Sequence, residues 1–196
     1  YIQDVAESAL MRMMVGNNSL HGTAIVMETA TGKIKAIANL GKQPDGTYTE
    51  DLNYGIGKAT EPGSIFKLAT LMSLMEDKYV TINSVVDCEG GKKNFYGLTI
   101  KDSHLGTGAI TVKDAFERSS NVAFAKLADQ YYHSQPSKFI DHLHKFRLDT
   151  LTGIDLTASS GKPTIKKPTN RSWANTTIPY MAHGYEELVT PLHMLM

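Results

Sequence analysis

Ser64 and Lys67 are the residues whose types and spacing most clearly suggest chemistry. They lie in Glu61-Pro62-Gly63-Ser64-Ile65-Phe66-Lys67, and an apolar run follows that segment. Pro62 and Gly63 break the chain, so a helix is predicted to begin near Ser64 and to place both side chains on one face. A serine hydroxyl becomes a nucleophile when a base lies within hydrogen-bond reach. The spacing therefore indicates acyl transfer on Ser64 with Lys67 as its base.

The predicted surroundings of Lys67 favour that role. A lysine amine acts as a base only when it is neutral, and both burial and the positive end of a helix dipole lower a lysine pKa. The same helix start would offer backbone N–H groups to a developing oxyanion. The alternative is a helix-capping Ser64 with an exposed Lys67.

A Ser-x-x-Lys spacing is weak when it stands alone. A second match, Ser159-Ser160-Gly161-Lys162, lies in a Ser/Gly/Pro-rich stretch with no apolar helix after it. Nothing there would hold the lysine against the serine, so that match is predicted to be loop.

Ser119-Ser120-Asn121 adds a second element between two predicted helices. The Ser119 hydroxyl could pass a proton, and the Asn121 carboxamide could bind both a substrate amide and a lysine amine. The alternative is a pair of capping residues that end one helix and begin the next.

Taken together, these segments resemble the transpeptidase domain of class B penicillin-binding proteins, most closely the division (septal) type. Order, spacing and flanking residues all match the family. The resemblance is carried by residues 22–40, 51–67, 101–128, 178–186 and 190–192.

The resemblance implies a role for each site residue. Ser64 would attack the penultimate D-alanine carbonyl of a peptidoglycan stem peptide, and Lys67 would take its proton. Ser119 would relay that proton to the leaving D-alanine, while Asn121 would hold the acyl-side amide. A neighbouring stem amine would then take the acyl group and form a cross-link. β-Lactam antibiotics would acylate Ser64, and no cofactor or metal is implied.

The family's third motif, Lys-Ser/Thr-Gly, is missing after the Thr190-Pro191-Leu192 segment. In the family it lies on an edge strand that supplies the second oxyanion N–H. Lys162-Pro163-Thr164 and Lys167-Pro168-Thr169 precede the last predicted helix and carry proline where the motif needs a hydroxyl residue. We therefore expect a truncated transpeptidase domain over residues 1–196, with a weak or inactive catalyst, because losing one oxyanion donor can cost about a hundredfold in rate.

Composition excludes several functional classes. The 196 residues suit one domain, and the zero net charge gives no attraction for nucleic acid or acidic membranes. The single cysteine, Cys88, cannot form an intrachain disulfide and is predicted to be buried. His142 and His144 have metal-like spacing but would point to nearly opposite sides of a helix. His104 and His183 are interpreted as structural.

The resemblance also implies a location and partners. No signal peptide or transmembrane stretch is found in the sequence. The family acts on the periplasmic, extracytoplasmic face of the bacterial inner membrane, so an anchor would precede Tyr1. The cell-wall synthesis and division machinery would be the partner.

The predicted fold class is α/β (α+β), of the β-lactamase/transpeptidase type. An antiparallel sheet flanked by helices would lie beside an all-helical region, and the sheet would be incomplete, with an unmatched edge. Helices are predicted over 1–15, 64–77, 111–118, 120–132 and 136–146, and from 190 onward. Strands are predicted over 23–29 and 33–40, with short pieces at 84–86 and 98–101.

Three other functions stay open at this point. A serine β-lactamase on the same fold needs a base for deacylation, and neither the Glu-x-x-Leu-Asn loop of class A nor the usual class D valine in place of Asn121 is present. A non-enzymatic β-lactam sensor or scaffold would share both motifs. A plain structural domain would use Ser64 and Ser119 only as caps.

Overall fold

The computed structural model describes residues 1–156 and 161–196. Its helices are α1 (Ile2–Asn17), α2 (Tyr54–Gly57), α3 (Lys67–Glu76), α4 (Val112–Glu117), α5 (Asn121–Tyr132), α6 (Pro136–Lys145), α7 (Thr177–Met181) and α8 (Pro191–Leu195). Its strands are β1 (His21–Met27), β2 (Ile34–Lys42), β3 (Tyr48–Thr49), β4 (Val85–Asp87), β5 (Lys92–Phe95), β6 (Leu98–Lys101), β7 (Ala109–Thr111), β8 (Thr164–Ile165) and β9 (Glu187–Leu188). Within these ranges, every helix is too short or too polar to cross a membrane.

The chain forms two compact units. The first comprises Tyr1–Thr60, Leu151–Pro163 and Val189–Met196. The second comprises Glu61–Thr150 and Thr164–Leu188, and it contains all four predicted site residues.

The first unit is built on an antiparallel sheet in the order β1-β2-β3. The predicted hairpin is confirmed: β1 pairs with β2 from His21 opposite Gly41 to Met27 opposite Ile34. Gly32 has a φ of 69°, which a glycine adopts at little cost in the connecting turn. The two-residue β3 was not predicted, since so short a strand carries no alternating pattern of its own.

Helix α1 packs on this sheet through part of the apolar face that its sequence predicts, which comprises Ile2, Val5, Ala6, Ala9, Leu10 and Met13. Ala6 lies in a core cluster with Ala36 and Ala38 of β2, and Leu10 packs against it. Val5, Met13 and Ile2 of the same face are 53%, 63% and 46% exposed. Met14, which the predicted face did not include, is buried.

Strand β1 forms one edge of the sheet. Within the part of the chain that the structure describes, its only strand neighbour is β2. The sheet therefore has the unmatched edge expected from the sequence.

The second unit packs α3 to α7 with three two-stranded ribbons, β4-β7, β5-β6 and β8-β9. The side chain of Thr111 caps α4 by accepting from the Asp114 N–H at 3.0 Å, at the start of the helix predicted over 111–118. Cys88 is fully buried, also as predicted. Strand β5 and helix α7 were not predicted, because their few apolar residues pack against residues that are distant in the sequence. Phe95 and Ile100 pack with Val122 and Ala125 of α5, and Tyr180 of α7 covers them.

Candidate active site

Ser64 lies in a single 3-10 turn, Gly63–Phe66, that leads directly into α3. The turn begins with Gly63 at a φ of 64°, a conformation that favours glycine. Ser64 is exposed, whereas Lys67, one turn later, is only 1% exposed. The Lys67 Nζ lies 2.9 Å from the Ser64 Oγ. The nucleophile candidate thus faces solvent while its partner amine is held in the protein interior.

The end of α7 supports this turn from behind. The Gly63 N–H donates to the Gly184 carbonyl at 2.9 Å, and the Thr70 hydroxyl donates to the Ala182 carbonyl at 2.9 Å. Gly184 has a φ of 98°, and a Cβ there would lie 1.9 Å from the Gly63 carbonyl oxygen. Only glycine permits this approach. Because the Gly63 N–H is already bonded, it is not available to an oxyanion.

Ser119 and Asn121 reach the same amine from the start of α5. The Lys67 Nζ lies 2.8 Å from the Ser119 Oγ, 2.8 Å from the Ser119 carbonyl oxygen and 2.6 Å from the Asn121 Oδ1. Asn121 also donates from its Nδ2 to the Lys101 carbonyl at 2.8 Å, which fixes the carboxamide orientation. All four residues singled out in the sequence therefore meet at one lysine nitrogen.

The four oxygens around the Lys67 nitrogen are compatible with a neutral amine. An ammonium would donate its three hydrogens to three of them. A neutral amine donates two hydrogens to the acceptor-only oxygens, the Ser119 carbonyl and the Asn121 Oδ1. Its lone pair then accepts from one of the hydroxyls, on Ser64 or Ser119. The arrangement fits an amine that exchanges a proton with either serine.

Electrostatics increase the share of the neutral amine. Burial lowers the pKa of Lys67 to about 8, and the Asp102 carboxylate opposes that shift. At pH 7 roughly a tenth of the amine is then neutral, several hundred times more than for an unshifted lysine. Ser119 adopts a φ of 54°, which is unusual for a non-glycine residue and often marks functional sites. Lys67 is thus poised to act near neutral pH.

Asp102 was not among the predicted site residues, yet its side chain bonds to the start of α5, next to Ser119 and Asn121. Its Oδ2 accepts from the Ser120 hydroxyl at 2.8 Å, and its Oδ1 accepts from the Val122 N–H at 2.9 Å. An aspartate about 18 residues before the Ser-x-Asn segment carries no local signal, because its partners are defined only by the folded chain.

His183 was interpreted as structural, and it is a buried residue beside the site. It is 5% exposed, and within the described residues neither ring nitrogen has a hydrogen-bond partner. Burial, and then the charge of Lys67, lower the pKa of His183 to about 4. The ring is therefore neutral at physiological pH. His104, by contrast, is exposed.

The two histidines considered for a metal site contact different carboxylates. His142 Nε2 lies 3.0 Å from an oxygen of Asp77, and His144 Nδ1 lies 2.6 Å from an oxygen of Asp149. They do not converge on one point. The second Ser-x-x-Lys match includes Ser159 and Ser160, which lie outside the described residues, so its interpretation as loop stays a prediction.

Glu187 is a second buried group that the sequence did not reveal. It is 1% exposed, and both carboxylate oxygens lack partners among the described residues. Burial, and then the nearby Glu61, raise the pKa of Glu187 well above its usual value. The folded unit therefore favours the neutral form of this carboxyl. Because the carboxyl ionises more easily in the unfolded chain, the free energy of unfolding decreases as the pH rises above about 4.5.

Replacing Glu187 by leucine is expected to stabilise the second unit by about 2 kcal/mol at neutral pH, because an unsatisfied buried polar group is removed. The gain should grow as the pH rises. Urea unfolding followed by fluorescence of Trp173, the one tryptophan of the sequence, would measure it. Glu117→Leu, on the exposed side of α4, is the control and should change stability little. A Glu187→Leu variant less stable than the wild type would show that the carboxyl has a stabilising partner.

The chain matches known proteins over most of its length. The sequence model described as penicillin binding protein transpeptidase domain matches residues 22–196. Peptidoglycan D,D-transpeptidase FtsI of Escherichia coli K12 is 27% identical over 198 residues, which cover 98% of this chain and 32% of that protein. Penicillin-binding protein PbpB of Mycolicibacterium smegmatis is 27% identical over 168 residues, which cover 80% of this chain and 25% of that protein. This chain thus spans about a third or less of these relatives.

Solved structures show the same fold. Penicillin binding protein 3 of Mycobacterium tuberculosis, in complex with aztreonam, superposes with a TM-score of 0.83 at 23% identity and covers 98% of this chain and 43% of that one. A peptidoglycan glycosyltransferase structure from Burkholderia ambifaria gives 0.81 at 24% identity, covering 98% and 56%. The predicted β-lactamase/transpeptidase fold class is confirmed. The chain belongs to the family of penicillin-binding protein transpeptidase domains, as a member of class B.

Proposed function

We propose that this chain carries the acyl-serine chemistry of a peptidoglycan D,D-transpeptidase. The observation that supports this most is the shared contact of Lys67 Nζ with the Ser64 and Ser119 hydroxyls and the Asn121 carboxamide, at 2.6–2.9 Å. Membership of a penicillin-binding transpeptidase family supports acyl-D-alanyl-D-alanine stem peptides as the substrate. Residues 1–196 would form the N-terminal part of one such domain.

The first step is acylation of Ser64. Its Oγ attacks the carbonyl carbon of the penultimate D-alanine, and its proton passes to the neutral Lys67 amine. The C–N bond to the terminal D-alanine then breaks. The proton on Lys67 reaches the leaving nitrogen through the Ser119 hydroxyl, which gives up its own proton and takes one from Lys67.

The second step returns the enzyme to its starting state. The amine of a neighbouring stem peptide attacks the ester carbonyl, the bond to Ser64 Oγ breaks, and the oxygen regains a proton by the same route in reverse. A new amide cross-link is formed, and no net proton is gained or lost. Asn121 still has one Nδ2 hydrogen free of the Lys101 bond and can donate it to a substrate carbonyl.

The same proposal assigns ligands, location and partners. β-Lactams would acylate Ser64 because they mimic the D-alanyl-D-alanine end. The names of the relatives, peptidoglycan D,D-transpeptidase FtsI and penicillin-binding protein PbpB, support a reaction in wall synthesis, and the FtsI name supports a role in division. The site would act at the extracytoplasmic face of the inner membrane, beside the wall-synthesis and division machinery.

A labelled penicillin tests the proposal. After incubation over hours, mass spectrometry of proteolytic peptides is expected to find one adduct, on the peptide that contains Ser64. Ser64→Ala should lose it while keeping the fluorescence spectrum and unfolding curve of the wild type. An adduct that persists for hours supports a transpeptidase, and release within milliseconds would instead support a β-lactamase. No adduct on Ser64 would contradict the proposal.

A further inference from the structure

We propose that Asp102 is a positioning residue of this site, whose carboxylate holds the turn carrying Ser119 and Asn121. This inference deepens the proposed function and rests on Lys67 being the base. Asp102 lies in the second unit, directly after β6 and against the first turn of α5.

Both oxygens of Asp102 are used to hold the start of α5. Oδ1 accepts from the Val122 N–H at 2.9 Å, and Oδ2 accepts from the Ser120 hydroxyl at 2.8 Å. That hydroxyl in turn accepts from the Ala123 N–H at 3.0 Å. A carboxylate at a helix N-terminus is also favoured by the helix dipole. The first turn of α5 is thus anchored by one aspartate and the serine it orients.

The anchoring extends to the groups that surround the lysine amine. The backbone carbonyl of Lys101, the residue before Asp102, accepts from the Asn121 Nδ2 at 2.8 Å. Residues 101 and 102 therefore hold Ser120, Asn121 and Val122 through three hydrogen bonds. Ser119 immediately precedes this clamped segment, and its unusual backbone conformation is what directs both its carbonyl and its hydroxyl at Lys67. Loosening the clamp would release three of the four oxygens around the amine, namely the Ser119 carbonyl, the Ser119 hydroxyl and the Asn121 Oδ1.

The charge of Asp102 also acts on the lysine. The Asp102 carboxylate favours the charged form of the Lys67 amine, against the effect of burial. His183, whose pKa the Lys67 charge lowers, is neutral near pH 7. From α5 the facing group is the uncharged Asn121. Asp77, at the other end of α3, is bonded to Tyr132, Lys138 and His142. Removing the charge of Asp102 should therefore lower the pKa of Lys67.

Asp102→Asn removes the charge of the side chain and keeps its shape. Asparagine keeps the size, can still accept from Val122 and can donate to the Ser120 hydroxyl, but carries no charge. The protein is labelled with 13C at the lysine ε-carbon, and the Lys67 signal is assigned by its loss in Lys67→Arg. We expect the titration midpoint of Lys67 to fall by about one pH unit in Asp102→Asn. Asp129→Asn, which removes a carboxylate from the Tyr96 side of α5, is the matched control and should leave the midpoint in place.

Amide hydrogen exchange tests whether Asp102 holds the start of α5. In Asp102→Leu, which removes both acceptors, the amide hydrogens of Val122 and Ala123 are expected to exchange at least about tenfold faster than in the wild type. An unchanged Lys67 midpoint in Asp102→Asn would overturn the electrostatic part, and unchanged exchange in Asp102→Leu would overturn the positioning part. Both measurements use the free protein. A chain that fails to bind penicillin but shows both shifts would contradict the proposed function and leave this inference intact.

Discussion

Lys67→Ala is expected to slow acylation of Ser64 by labelled penicillin about 10³-fold or more. General-base catalysis alone contributes about 10²–10⁴. The variant also leaves the Ser119 carbonyl and the Asn121 Oδ1 without their buried partner, which disturbs the geometry of the site. The wild-type rate should rise with pH through about 8 and then level off, because the neutral amine is the active form. The rise of the rate with pH should be absent in Lys67→Ala. The rates are measured by stopping the reaction at set times and quantifying the adduct by mass spectrometry.

Lys67→Arg distinguishes a base from a fixed positive charge. Arginine keeps the charge but cannot become neutral in a protein, so we expect it to be as slow as alanine. Lys126→Ala is the matched lysine control, since Lys126 pairs with Glu89 on the outer side of α5. It should acylate at the wild-type rate. A Lys67→Arg variant with wild-type rate and pH profile would show that Lys67 binds the substrate electrostatically and does not accept the proton.

Local pattern carried much of the fold prediction. The β1-β2 hairpin, α3, α4, α5 and α6 all lie within a few residues of their predicted bounds, because each has caps or a period that a short window contains. The failures have one cause. Strand β5, helix α7 and the choice of which apolar residues of α1 are buried all depend on partners far along the chain, and such partners leave no periodic mark. Residues 41–60 are rich in Gly, Asp and Thr, which predicts loop, yet they hold the end of β2, β3 and α2.

The site divides in the same way. Ser64 and Lys67 meet across one turn, so their contact follows from spacing in the sequence. Ser119 and Asn121 lie more than 50 positions away, and only the family resemblance related them to that pair. The structure then shows the four oxygens around one amine. Asp102, His183 and Glu187 escaped prediction because an isolated charged or titratable residue in a sequence does not reveal whether it will be buried.

The buried His183 is expected to make the second unit sensitive to acid. In the unfolded chain the imidazole takes a proton near pH 6.5, whereas in the folded protein its pKa is lowered to about 4. Between these values the unfolded state binds more protons, so stability falls as the pH is lowered through this window. The difference corresponds to about 3 kcal/mol by pH 4. Glu187 acts in the opposite direction in this window, so the effect of His183 is read from the difference between the wild type and a variant that keeps Glu187.

His183→Phe should remove most of this loss. Phenylalanine keeps a planar ring beside Tyr180 and Tyr185 but has no nitrogen to protonate. Urea unfolding followed by Trp173 fluorescence, at intervals between pH 7 and pH 4, would give the two stability curves. At pH 7 we expect the variant to be as stable as the wild type or slightly more, because two unsatisfied nitrogens are gone. His104→Gln, at an exposed position, should follow the wild-type curve. If His183→Phe and the wild type lose stability in parallel down to pH 4, His183 takes up a proton in the folded protein as easily as in the unfolded chain. A partner or water at the ring would then have to stabilise its charged form next to Lys67.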